Sequence, residues 1–323
     1  MFGEKRDDLE YAALLDIGSG SVTVSIISST RSKERIEYIW SQQEKLALSS
    51  QRRNELDQSK YILTAVMSAM LALGSEGLIA LRSYDSRGRI NSLQCSIAAP
   101  WSYTINKNVR VAKEKPFTLS KQLLQDVLHS AERKINVDLQ ESEVAASLQL
   151  ILANRSVAQV SANDYPIKYI QNQQILSLEV SLLSVVMQEY LQAAIKKNQQ
   201  TVLPDAKLKI YSFMNILYYM LRNIRNDINE CCLVNLTYDA VEIGLMREGI
   251  LHFSTHEPYG VSHYICDIAE IIDTSPSEIL GWLESGHWHD LHSFPTRRSS
   301  EIGRASCRER VYKNTPSIRN TLF

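Results

Sequence analysis

Near the start of the 323-residue chain, Asp16-Ile17-Gly18-Ser19-Gly20-Ser21 has the residue types and spacing to handle a phosphate. Residues 12–17 and 22–27 read as two apolar strands, the second with alternating apolar residues, so the Gly-Ser-Gly step is the turn of a hairpin. With no Cβ at Gly18 and Gly20, the backbone N–H groups of the turn can approach an anion. Ser19 and Ser21 add hydroxyl donors, and Asp16 is placed for a hydrated Mg²⁺. Taken singly, such a turn serves as an ordinary strand connection. An internal echo changes that reading, because residues 14–27 lie over residues 233–246 at an offset of 219. Both segments are two apolar strands around a tight polar turn, with Asp16 closing the first strand of one copy and Asn235 that of the other.

Other chemistry-bearing residues point elsewhere. His252, His256 and His263 have spacings of four and seven, but 253–258 reads as strand and loop, so they do not share a helix face. His287 and His289 flank Trp288 at the edge of a stretch of different character. Cys95, Cys231, Cys232, Cys266 and Cys307 include no CxxC or CxxH spacing, which argues against a zinc site and for reduced thiols in a cytosolic setting. The aromatics of 211–219 read as helix core.

Composition bounds the class. The chain is 44% apolar and 22% charged, the profile of a globular protein of about two domains, which excludes disorder and collagen-like structure. Thirty-five basic and 36 acidic residues leave a net charge of −1, so nucleic acid is not expected as a partner. The charged N-terminus lacks a signal-peptide core. The apolar stretches at 62–73 and 175–186 fall short of a membrane span. From 290 to 323 the chain carries a charge of +4 without helical or alternating period, and 292–311 (HSFPTRRSSEIGRASCRERV) looks like a translated sequencing adapter. That segment is expected to be non-native.

The elements that must position the paired turns alternate in type. A strand is expected at 36–40, a helix at 60–73 capped by Ser59, a loop over 74–89 and a strand at 93–98. Residues 120–134 form an amphipathic helix, strands follow at 148–152, 157–161 and 175–184, and a helix runs over 187–197. Ser275-Pro276-Ser277-Glu278 is a capping box that opens a helix reaching Ser285. Interleaved strands and helices give an α/β or α+β class.

Two hairpins, one per half-molecule, resemble the phosphate motifs of the actin-like ATPase superfamily, and the order of elements resembles its FtsA/PilM-like branch. The features that match are the segment 91–204, with Phe117-Thr118-Leu119 before a helix and the Asn163-Asp164-Tyr165-Pro166 turn, and Glu257-Pro258-Tyr259-Gly260 before another. The resemblance implies an α/β, actin-like (ribonuclease H-like) two-lobed fold with an inserted small α+β domain. Residues 11–90 would form the first lobe, 91–204 the insert and the return to that lobe, and 205–289 the start of an incomplete second lobe. It implies ATP with Mg²⁺ at Asp16, Gly18, Ser19, Gly20, Ser21, Asn235, Thr237 and Gly260, with Asp16 holding Mg²⁺ through water.

The second turn departs from the family's Asp and glycine run, having Asn235, Thr237, Tyr238, Asp239 and Ala240. A bulky ring and a negative charge then face the phosphate, so nucleotide binding is expected to be weak or lost, and no catalytic residue is identified. The implied role is an FtsA-like cytoplasmic scaffold of bacterial cell division at the inner face of the membrane. Its partners would be division or pilus-assembly proteins, with a homo-oligomer or filament as a further form and membrane contact only through a segment beyond 289. The alternatives are a PilM-like type IV pilus platform protein and an active actin-like ATPase.

Overall fold

The computed structural model describes residues 9–30, 35–46, 55–167, 169 and 172–285. The stretch from 290 to 323, together with His287 and His289, lies outside the described residues. Strands β1 (Leu9–Ile17), β2 (Ser21–Thr30) and β3 (Ile36–Lys45) form an antiparallel meander. Parallel pairing adds β4 (Ile90–Ile97), and β9 (Lys207–Ser212) completes the sheet in the order β3-β2-β1-β4-β9.

One face of this sheet is covered by α1 (Glu55–Ala72), whose Ile62, Val66, Ala69 and Met70 recur at helical spacing and meet Leu15, Ile17, Val24 and Leu93. The helix does not stop at the expected loop. It passes through a π-helical turn, Leu73–Gly77, into α2 (Leu78–Tyr84). Gly74 and Gly77 read as breakers in the sequence, yet here they make room for neighbours. A Cβ on Gly77 would lie 2.9 Å from the Trp40 ring, and one on Gly74 would lie 3.2 Å from Val202. The stretch Gln58–Tyr84 is long and apolar enough to cross a membrane by length and composition alone, and its buried face packs on the first sheet.

Between β4 and β9 the chain builds a second layer of structure. It comprises β5 (Ser102–Leu119), α3 (Lys121–Glu141), α4 (Glu143–Ser147), β6 (Leu150–Ala162), β7 (Tyr165–Pro166) and β8 (Gln173–Gln188). The sheet order is β5-β8-β6-β7, and α3 covers one face with Val127 and Ala131 against Leu178, Val180 and Leu182. Ser120 caps α3 by accepting from Leu123 N–H at 3.1 Å. Helix α5 (Glu189–Val202) then returns Leu191 and Ile195 to the first core. The two strands expected at 148–152 and 157–161 are one strand, β6.

Helix α6 (Phe213–Ile224) leads to a third sheet of β10 (Cys231–Leu236), β11 (Val241–Arg247) and β12 (Ile250–Glu257), all antiparallel. It is followed by α7 (Val261–Ile272) and α8 (Pro276–Ser285). The expected capping box opens α8, since Glu278 N–H donates to Ser275 Oγ at 3.3 Å and Ser275 N–H to Glu278 Oε2 at 3.2 Å. The divisions expected at 91 and 204 differ from the observed ones, because β4 and β9 both belong to the first sheet and the insert proper runs from β5 to β8. Their pairing is parallel and long-range, which local pattern does not reveal.

Candidate functional site: the facing hairpin turns

The internal echo is repeated in the hydrogen bond that closes each turn. In the first hairpin Gly18 N–H donates to Ser21 O at 2.9 Å, and in the second Thr237 N–H donates to Ala240 O at 2.8 Å. Asp16 pairs with Thr23, and its counterpart Asn235 pairs with Glu242. The acid has therefore changed strands between the copies.

The two turns meet directly. Ser19 is 1% exposed. Its hydroxyl donates to Thr237 Oγ1 at 3.1 Å and accepts from Asp239 N–H at 2.8 Å. Thr237 Oγ1 lies 3.3 Å from Ala99 O, just after β4, and Trp101 Nε1 donates to Gly18 O at 3.2 Å, so the β4–β5 connection closes one side. Gly20 is where the close approach demands a missing side chain, because a Cβ there would lie 2.8 Å from Tyr238 Cβ.

The start of α7 is used in the same way. Val261 N–H donates to Thr237 O at 3.0 Å and Ser262 N–H to Tyr238 O at 2.8 Å, which satisfies helix-terminal donors that would otherwise face an anion. Ser262 Oγ donates to Asp239 Oδ1 at 3.1 Å, placing a carboxylate of the protein at this positive helix end. Gly260 caps the helix with its Cα pressed on the second turn, where a Cβ would lie 2.4 Å from Ala240 N and 2.5 Å from Tyr238 O.

Of the residues singled out from the sequence, Ser19, Gly20, Thr237 and Gly260 come together in this cluster, with Gly18 at its edge. Asn235 stands behind it on β10, with its amide donating to Glu242 Oε2 at 2.6 Å. Ser21 is drawn the other way and accepts from Gln43 Nε2 at 3.2 Å. Asp16 is exposed at the end of β1, and the protein around it still desolvates its carboxyl enough to hold its pKa above the ordinary value against the Ser96 hydroxyl. Asp16 stands apart from the second turn's hydrogen bonds, and among the described residues no group of three or more His, Cys, Asp or Glu is placed to hold a metal ion.

The residues present do not fit a phosphate between the turns. It would have to displace the Tyr238 side chain from Gly20 and break both Ser19 hydrogen bonds. Sequence reasoning missed Trp101, Glu242 and Ser262. Glu242 left a trace, as a lone acid directly opposite Asn235 in strands of otherwise apolar alternation.

A separate groove of about 260 Å³ lies where β6, α5 and β9 meet. Strand β9 is the edge of the first sheet. Leu208 and Ile210 form the floor of the groove, Lys196 and Lys209 its rim, and Asn154 Nδ2 donates across it to Ile210 O at 2.7 Å. Among the described residues no strand pairs with the outer edge of β9.

No protein-family model matches the chain, and no curated protein matches it. Solved structures do. The PilM–PilN type IV pilus biogenesis complex aligns at TM-score 0.49 and 10% identity, covering 86% of this chain and 69% of that one. A Bacteroides thetaiotaomicron protein with actin-like ATPase fold aligns at 0.40 and 10%, covering 85% and 81%. The ethanolamine utilization protein EutJ from Carboxydothermus hydrogenoformans aligns at 0.37 and 8%, covering 84% of this chain and 60% of its own length. The architecture itself is mixed α/β, two hairpin-bearing sheets whose turns meet, with a third sheet inserted between β4 and β9 of the first.

Proposed function

We propose that the chain is a cytoplasmic actin-fold scaffold joining proteins of a bacterial envelope assembly, with its cleft held shut by protein contacts in place of a turned-over nucleotide. The observation that carries this reading is the direct seal between the turns: Ser19 bonded to Thr237 and Asp239, with the Tyr238 side chain against Gly20. A hydrolase needs those donors for phosphate. A scaffold needs the lobes fixed, and this seal fixes them.

Within that class, the sequence resemblance supports an FtsA-like role in division. A PilM-like role in pilus assembly is the second reading, in which the partner would be a pilus protein, as PilN is in the PilM–PilN complex. The groove beside β9 favours a peptide-like partner in either case, because an extended segment can add along a strand edge that only the Asn154 side chain caps among the described residues, while Lys196 and Lys209 meet its acidic groups. Membrane attachment would come through sequence beyond 289.

Titration calorimetry with Mg²⁺-ATP and a phosphate-release assay test the reading. The expected result is no binding at micromolar concentrations and no turnover, since losing several charge-assisted hydrogen bonds of about 1.5–3 kcal/mol each moves micromolar affinity into the millimolar range or beyond. Tight binding with steady turnover overturns it. Titrating the division and pilus-assembly proteins encoded beside the gene against the purified chain separates the two partner readings.

A further inference from the structure

Glu242 is an ionisable group in the cleft that the turn contacts leave unexplained. It is 3% exposed, on β11, with Asn235 directly opposite on β10 and His256 directly opposite on β12. It lies at the seam between lobes, where the Ala99 main chain of the first lobe reaches its carboxyl and the same residue's carbonyl is met by Thr237. Any motion that parts the turns therefore also exposes Glu242 to water.

The groups facing it do not neutralise a charge. Asn235 offers a neutral amide. His256 is itself half-buried against the Tyr103 ring at 4.7 Å, where desolvation lowers its pKa and disfavours its charged form. From α6, Met214 packs at Gly244 and Tyr218 shares a core with Met246, none of them charged. The charged residues of the turns are Asp16 and Asp239, both acids. A carboxylate buried among such partners is costly, and a protonated carboxyl is not.

We propose that Glu242 is a proton-operated latch between the lobes, closed with a proton bound and released as that proton leaves. This goes beyond the scaffold reading, which would survive its failure. Burial is the main cause that pushes the Glu242 pKa up to about 7 from its ordinary 4.5, with the Asn235 amide and the Ala99 N–H opposing. A raised acid pKa in the closed form means that closure is fully favoured below the ordinary value. The advantage is lost as pH rises through the closed-form value. With those two values the opening constant grows about 30-fold between about pH 5.5 and 8.

Amide hydrogen exchange reads this opening directly. The Asp239 N–H is bonded across the seam to Ser19, whereas the Ala98 N–H bonds to Ile17 inside the first lobe. After division by the intrinsic rate at each pH, protection of Asp239 should fall about 30-fold from pH 5.5 to 8 while that of Ala98 holds. Glu242→Gln should abolish the fall, and His256→Asn should keep it. A flat wild-type profile, an unchanged fall in Glu242→Gln, or loss of the fall in His256→Asn would overturn the proposal. Should Glu242→Gln fail to fold, carboxyl ¹³C titration of the wild-type chain decides: a Glu242 midpoint near 7 supports the latch, and one below 5.5 refutes it.

Discussion

Replacing Gly260 by Ala tests the packing of α7 on the second turn most severely. The backbone there has φ −104° and ψ −165°, which any residue can adopt, so the requirement is for space alone. An added methyl would meet Ala240 N at 2.4 Å, Tyr238 O at 2.5 Å and the Asp239 carbonyl carbon at 2.6 Å. These are main-chain atoms and cannot rotate aside. The helix must lift, at about 1–3 kcal/mol for overpacking. The Val261 and Ser262 N–H bonds to the turn would go with it, at about 0.5–1.5 kcal/mol each, for a total of about 2–6 kcal/mol. Urea denaturation followed by circular dichroism should show a lower midpoint with an unchanged slope. Gly20→Ala should cost less, and the loss should shrink when Tyr238→Gly is added, because that methyl meets a side chain. The reasoning fails if Gly260→Ala costs under about 0.5 kcal/mol, or if the Gly20 penalty is the same with and without Tyr238.

Ser19→Ala should lower stability by about 1–3 kcal/mol in the same assay, since it strands the Asp239 N–H in a buried seam. Leu183→Ala should cost about 2–5 kcal/mol, because Leu183 is fully buried against Met214, Tyr218 and Leu251. The double change Tyr238→Gly, Asp239→Gly should strengthen Mg²⁺-ATP binding in calorimetry by at least tenfold if the closed turn is what excludes phosphate. Lys196→Glu with Lys209→Glu should weaken partner capture in a pull-down while leaving the melting temperature within a few degrees, both lysines being exposed.

The hairpins were legible because two signals agreed at each: two apolar strands, as over 12–17 and 22–27, and a polar turn of matching length in both copies. Their mutual contact was not legible, since it depends on a serine, a tyrosine and a glycine brought together from positions more than 200 residues apart. Polarity misled at β6, where Asn154, Arg155 and Ser156 read as a break. In the fold these side chains reach across to Ile210 O, Glu132 and Leu183 O, so the strand continues. Glycine misled at 74 and 77 for the opposite reason, because its cost to the helix is offset by the volume given to Val202 and Trp40.

Strand β8 carries a consequence for how the molecule comes apart. Ile175, Leu178, Val180 and Leu182 pack under α3, Leu183 joins the core beneath α6, Val186 packs with Ile135 and Leu139, and Met187 enters the core of the first sheet. One strand therefore has a side chain in four separate apolar clusters. The insert is then no cassette that can be excised to leave sound lobes: removing 91–204 would take β4, β8 and α5 together and open all four of those clusters, sparing the separate one formed by α7 and α8. Loss of β8 in one place should be felt everywhere, and unfolding should be a single event in which the insert and the lobes surrender together.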